Sequence, residues 1–375
     1  MNVNKKVTYS IFIVLILLIS ASCAPKEKEE EVLQSSDEQE EQEISIVPSY
    51  QLSKKNYRMI LPFRPSEARG VITGQIKNRL DIDEMEDALR RHSTEAFDPE
   101  KYYYEEGQYL DEKMVKKLID DLNPDRPSPD AKKKEHEENP RILSHILEQN
   151  YLNKTENNSL ELVGVSIGIA LKSVYEFEAE GKGPYFHDIP KSELLSKGNE
   201  IAEDVLAELR EIEELADVPI MIALYREEEE SSPIPGNFVA KTLVEGAGQS
   251  LGKWETIEEK YVLFPSDKAK DDYFDDYEVV NEFGKKISTY FPNYVGVIGK
   301  GFYLHDELKT LSLEVPIEFY GSAEVVGFSQ YVYGLVLEMF PEHYDLEIKI
   351  TSSDQVESII YREAGEEEPT VHVFH

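Results

Sequence analysis

The stretch LELVGVSIGIALKSVYEFEA, residues 160–179, decides the fold. It alternates at first and then runs apolar through Val165, Ile167, Ile169 and Leu171, as a strand does when it is half buried at its start and covered on both faces further on. A helix is expected near Lys191, because Leu194, Ile201, Val205, Leu209 and Ile212 recur on one helical face. VPIMIALYR, residues 218–226, reads as a second strand.

The same plan returns much later. LKTLSLEVPIEFYGS, residues 308–322, reads as a strand; Val325, Phe328, Val332, Leu335 and Met339 mark a helix ended by Pro341; YDLEIKITS, residues 344–352, is again a strand. Neither strand–helix–strand unit can close a core alone, and their shared order implies an internal duplication. The expected fold is therefore α+β, with two related repeats and mixed or antiparallel sheets. The first repeat, with N-terminal helices, is placed at residues 57–235 and the second at 236–375.

Between the repeats lie the apolar runs FVAKTLVEG (238–246) and KYVLFPS (260–266), a helix carrying Phe274, Tyr277, Val280, Phe283 and Ile287, and a strand YVGVIG (294–299). ESIIYRE and TVHVFH close the chain as strands. Upstream, YRMILPF (57–63) and GVITGQI (70–76) read as extended segments. DIDEMEDALRRH (81–92) is a capped amphipathic helix opened by Asp81, and a second helix starts at Asp111. The proline- and charge-rich residues 123–140 form a loop, and residues 142–152 a short helix.

The N-terminus carries the address. IFIVLILLISASC, residues 11–23, stands behind Lys5 and Lys6 and ends in small residues before the single cysteine. A basic start, a short apolar run and small residues at a cut site make a secretory signal, too short for a permanent span. Because Ser20, Ala21 and Ser22 lead directly into Cys23, the ending resembles a bacterial lipobox, with serine at position 20 where such boxes usually carry leucine. An ordinary secretory signal with an incidental cysteine is the alternative. Residues 1–22 are thus the signal peptide, and the acidic, serine-bearing residues 23–56 a disordered, lipidated tether.

Composition sets further bounds. Seventy-five Asp and Glu against 40 Lys and Arg leave a net charge of -35, which repels nucleic acid and anionic headgroups. One cysteine permits no intramolecular disulfide, and excludes a zinc–thiolate site or a cysteine enzyme in the mature domain.

The runs NRLDIDEMEDALRRHSTEAF, YYYEEGQYLDE, PIPGNFVAKTLVEGAGQSLGKWE, KYVLFPSD, FPNYVGVIGKGFY and VPIEFYGSAEVVGFSQYV are similar to those of the CamS sex-pheromone-precursor lipoproteins of low-GC Gram-positive bacteria. The resemblance spans about residues 61–363. It implies a lipoprotein with two related α/β repeats, held at the outer face of the cytoplasmic membrane by a diacylglyceryl group on Cys23. It also implies that proteases trim the spent signal peptide to a short peptide that signals to plasmid-bearing recipients. The matching residues are Ile16, Leu17, Leu18, Ile19, Ser20, Ala21 and Ser22, which depart from the family pattern around Ser20. No activity, cofactor or metal comes with the resemblance, and the partner of the folded domain is left open.

Several motifs invite chemistry. Gly248-Gln249-Ser250-Leu251-Gly252 matches a nucleophile elbow, which needs a strand directly before the serine and a helix directly after. Only the strand has a candidate, so a glycine-rich loop is the reading and an envelope serine hydrolase using Ser250 the rival. Residues 296–301, GVIGKG, open no helix and read as a turn rather than a phosphate loop. His372 and His375 alternate in strand geometry and face opposite sides, which disfavours a shared metal. The acidic residues 271–276 read as a helix face capped by Asp271 or Asp272, and Glu227 to Glu230 as a charged loop. Tyr102, Tyr103 and Tyr104 are either a sugar- or peptide-binding shelf or amphipathic rings buried at a helix–sheet junction. The expectation is a non-enzymatic binding or envelope module.

Overall fold

The computed structural model describes residues 30–34, 43–128, 130–291, 293–319, 321–353 and 355–374. In chain order the strands are β1 (Glu30–Gln34), β2 (Glu43–Val47), β3 (Arg58–Met59), β4 (Tyr103–Glu106), β5 (Leu143–Lys154), β6 (Leu160–Lys172), β7 (Val174–Ala179), β8 (Lys182–Asp188), β9 (Ile220–Glu227), β10 (Asn237–Val244), β11 (Glu255–Thr256), β12 (Glu259–Phe264), β13 (Ile298–Leu304), β14 (Glu307–Pro316), β15 (Asp345–Ser352), β16 (Gln355–Arg362) and β17 (Thr370–Val373). The helices are α1 (Arg69–Gln75), α2 (Arg79–Ser93), α3 (Glu112–Asp121), α4 (Lys133–Glu138), α5 (Lys191–Arg210), α6 (Asp267–Asp272), α7 (Phe274–Tyr290) and α8 (Ser322–Met339).

The chain divides into two compact units. The smaller combines the described residues up to Arg64 with Pro99–Glu105 and Leu152–Glu161. There β1 pairs antiparallel with β2, β3 runs parallel to β4, and Val47, Ile60, Tyr103 and Leu152 form a small core.

The larger unit holds both repeats. In the first sheet β11, β10, β9, β6 and β5 lie side by side in that order, with β6 and β9 parallel and β9 and β10 antiparallel. Val165, Ile167, Ile169 and Leu171 of β6 form one face and pack with Ile201, Val205 and Leu209 of α5 and with Ile220, Ile222 and Leu224 of β9. The opposite face carries Ser166 and Gly168 beneath α2. The Ser166 hydroxyl lies 2.7 Å from that of Ser93, and a Cβ on Gly168 would stand 2.9 Å from the Met85 methyl. Helices on both faces explain the continuous apolar run of β6.

The second sheet has the order β12-β13-β14-β15-β16-β17, with β14 and β15 parallel and the other pairs antiparallel. Leu311, Leu313, Leu346, Ile348 and Ile350 face Val280, Phe283 and Ile287 of α7 and Phe328, Val332 and Leu335 of α8. β15 alternates buried and more exposed residues, as a one-sided sheet requires. Each repeat thus places a long helix between two adjacent parallel strands, flanked by antiparallel neighbours. The α+β duplication expected from the sequence is present.

Several expectations differ from the structure. All but the first of residues 142–152 lie in strand β5, not a helix, because Leu143 and Ile146 belong to the sheet core. Residues 70–76 fall largely in helix α1, which buries Val71 and Ile72. Helix α2 begins at Arg79, capped by Asn78 through a 3.0 Å bond from the Leu80 amide, and its Asp81 is wholly buried. Asp271 and Asp272 end α6 and do not cap α7, whose N-cap is Tyr273. The expected division between residues 235 and 236 falls ahead of β10, a strand of the first sheet; the second sheet begins at β12.

Candidate binding cleft

Strands β6 and β9 end at register partners, Lys172 and Glu227. In open α/β sheets ligands collect outside the carboxyl ends of parallel strands, where backbone and loops diverge. Here the β7–β8 hairpin is inserted directly after β6, turning through Glu180 (φ 52°) and Gly181 (φ 68°), the left-handed pair that a tight hairpin turn requires. The five residues between β14 and α8 leave no space for such an insertion in the second repeat.

Two adjoining recesses lie at these strand ends, of about 320 and 590 Å³, and share Gln75, Lys77, Lys172 and Glu176. Asp81 organises the loop that bounds the smaller one. Its carboxylate accepts from the Tyr225 hydroxyl at 2.9 Å, the Glu228 amide at 3.1 Å and the Gly236 amide at 2.5 Å. Burial pushes its pKa up to about 6, with these three donors pulling the other way. The Asn78 amide donates to the carbonyls of Glu229 and Ser232, tying the same loop to the start of α2.

Glu227 is the residue that sequence reading missed. Set among four consecutive glutamates it looks like solvated loop, yet it closes β9, is buried, and its Oε1 has no hydrogen-bond partner. Desolvation pushes its pKa up to about 8 against the Ser144 hydroxyl and the Lys172 ammonium, so the carboxyl is largely protonated at neutral pH. The available signal is its position immediately after the apolar run IMIALYR. Lys172 is in turn lowered, first by burial.

The larger recess has an aromatic wall. His136 stacks on Phe177 with ring centres 4.6 Å apart, and Tyr175 and Phe177 lie 5.3 Å apart. His136 is 6% exposed, and neither of its ring nitrogens has a partner. Arg141 is fixed by the Pro124 carbonyl and by Asp120 at 2.8 Å, and Lys77 bonds Glu176 at 2.6 Å.

The other candidates fall elsewhere. Tyr103 and Tyr104 are buried in the smaller unit, Tyr103 beneath the Arg58 guanidinium and Tyr104 beside Tyr57, and Tyr102 is half buried. Burial leaves the first two no face for a ligand. Ser250 is exposed in the loop between β10 and β11, with neither a strand directly before it nor a helix after. Arg210 holds that loop by donating to the carbonyls of Gly246 (2.6 Å) and Gly248 (2.9 Å). His305 faces Glu258 and His343 packs edge-on to Tyr344. Residues 298–301 are strand β13 rather than a turn, and a Cβ on Gly301 would stand 2.9 Å from the Phe264 ring, so close packing explains the glycine. Among the described residues no group of three or more His, Cys, Asp or Glu is placed to hold a metal, and no helix is long and apolar enough to cross a membrane. Cys23, the peptide from Ile16 to Ser22 and His375 lie outside the described residues.

The family model described as CamS, sex pheromone cAM373 precursor, matches residues 63–368. The chain belongs to the CamS family. A crystal structure of a sex pheromone precursor from Lactobacillus salivarius is similar at 26% identity and a TM-score of 0.79, covering 87% of this chain and 98% of that one. The C-terminal domain of the staph-cAM373 precursor from Staphylococcus aureus is similar at 28% identity and a TM-score of 0.69, covering 81% and 99%. No curated protein matches. The strand–helix–strand unit of each repeat of this CamS protein, β6 to β9 and β14 to β15, lies inside the matched span, as does the whole cleft.

Proposed function

We propose that this CamS protein is a cell-surface lipoprotein whose signal peptide is the precursor of a short conjugation pheromone, and whose folded part is a non-enzymatic binding module. The observation that carries the first half is the apolar run of residues 11–19, closed by Ser20-Ala21-Ser22 ahead of the only cysteine, in a chain of a pheromone-precursor family. Two acyl chains on Cys23 give stable anchoring where one is marginal, since each buried methylene contributes about 0.8 kcal/mol. The negative charge of residues 23–56, which include strands β1 and β2 of the smaller unit, then repels an anionic membrane surface. Proteolysis of the spent signal leaves ILLISAS, residues 16–22, as the candidate peptide.

The binding reading rests on the cleft at the ends of β6 and β9. The non-enzymatic one rests on the loop setting of Ser250, which lacks the strained strand-to-helix turn that exposes such a nucleophile.

The test is metabolic labelling with an alkynyl fatty acid, followed by mass spectrometry of the N-terminal peptide. Cys23 should carry the lipid, and Cys23→Ala should release the protein or leave it unprocessed. A lipid-free mature N-terminus in wild-type membranes overturns the anchor. Synthetic ILLISAS applied to plasmid-bearing recipient cells tests the pheromone.

A further inference from the structure

We infer that the two adjoining recesses form one site for a small polyhydroxylated anion, a sugar acid or sugar phosphate, with Lys172 and the rim cations on its charge and His136 and Glu227 on its hydroxyls. The inference rests on the binding-module reading and supplies its ligand class.

Charge points to an anion. The chain as a whole carries -35, yet Lys77, Lys116, Arg126, Arg141 and Lys172 converge on the larger recess. Asp120, Glu176 and Glu178 are the acids lining the larger recess, two fewer than its cations, whereas the smaller recess adds Glu227 to Glu230; the ligand's charge therefore belongs in the larger recess and its hydroxyls toward the smaller. Lys172 is the one of these cations for which no ion pair or hydrogen bond forms among the described residues. Partly burying an ammonium that makes no such bond is costly, and an anionic ligand supplies the bond.

Unused polar atoms point to hydroxyls. His136 is buried with both ring nitrogens unpartnered, although an imidazole carries one donor and one acceptor even when neutral. Glu227 is buried with Oε1 unpartnered at the floor of the smaller recess. Buried polar atoms are normally satisfied; of the six described residues that carry an unpartnered one, His136 and Glu227 are the two that line these adjoining recesses. A plain inorganic anion reaches the cations but supplies no donor to the lining carboxylates. A polyhydroxylated anion does both. The recess of about 590 Å³ lies within the usual range of small-molecule sites.

The test is calorimetric titration of the full-length protein with N-acetylmuramic acid, glucose 6-phosphate, inorganic phosphate and glucose. At least one anionic sugar should bind saturably and at least tenfold more tightly than glucose and than inorganic phosphate. Whether the sugar acid or the sugar phosphate wins identifies the charged group. Lys172→Gln should weaken that binding at least tenfold. Should that variant fail to fold, the rim pair Lys116→Gln and Arg126→Gln should weaken it at least threefold with an unchanged melting temperature. No saturable binding, equal binding of glucose, equal binding of inorganic phosphate, or indifference to these substitutions overturns the inference. Native mass spectrometry of the same preparation separates the two levels: a retained ligand of another class sinks the sugar anion and leaves the binding module standing.

Discussion

Glu259 Oε2, on the first strand of the second sheet, lies 3.0 Å from His92 Nε2 on helix α2 of the first repeat. The glutamate side chain is fully buried, and its other oxygen accepts from the Phe238 amide at 3.0 Å. Arg91 Nη2 reaches the same carboxylate at 3.2 Å and Glu84 at 2.9 Å, while the Tyr261 hydroxyl closes the cluster on Glu84 at 2.5 Å. The two repeats are therefore joined by a charged network around one buried carboxylate and not by apolar contact alone.

Burial pushes the pKa of Glu259 up, but His92, Arg91 and the Phe238 amide outweigh it and hold the carboxylate below its ordinary range. A depressed folded pKa contributes stability that is present above the unfolded value and lost as pH falls through the folded one. Glu259→Gln should cost about 3 kcal/mol, the lower end for breaking a buried pair, because Arg91 keeps Glu84. Scanning calorimetry should show the variant melting earlier, and unchanged melting would remove the network from the interface.

Glu227 has the opposite sign. Its folded pKa, about 8, stands above that of an unfolded glutamate, so its contribution is complete below the unfolded value and disappears as pH rises through 8. Glu148, pushed up to about 7 by burial despite the amides of Leu110, Tyr109 and Gln108, acts in the same direction, as does Asp81. The melting temperature should fall between pH 5 and 9, and Glu227→Gln should flatten the part of that fall nearest pH 8. An unaltered slope in this variant would assign the pH dependence to other groups.

Leu209 of α5 and Leu335 of α8 are each buried on the long helix of a repeat, in the core that includes its parallel strand pair. Truncation of either to alanine should cost about 2–5 kcal/mol by lost transfer energy and cavity formation. Exposed Glu208 is the control, and Glu208→Ala should change stability by less than about 0.5 kcal/mol. Denaturant unfolding measures all three, and a Leu209→Ala cost no larger than the control would refute the packing.

Ser250→Ala should leave both the melting temperature and any reaction with a serine-directed fluorophosphonate unchanged. Labelling of the wild type that vanishes in the variant would restore the hydrolase reading.

Periodicity by itself determined the two strand–helix–strand units and the apolar faces of α5 and α8, because burial of one face imposes a spacing that any reader can count. The family runs likewise stand in the linear order of residues. Strand β5 escaped because His145, Glu148, Gln149 and Asn150 interrupt its apolar residues, and tertiary bonds hold the first three: His145 to Gln75 at 2.5 Å, Glu148 to three loop amides, and the Gln149 amide to the Glu86 carbonyl. The buried tyrosines and the loop around Ser250 were likewise legible only as alternatives until their neighbours were known. The cleft belongs wholly to the tertiary structure. Lys172 and Glu227 are 55 positions apart and meet because parallel pairing sets β6 beside β9 in register. His136 reaches the same place through stacking on a hairpin that follows β6. A sequence states which residues carry charge or a ring; which of them lose water, and so become selective for a ligand, is decided by the packing that removes it.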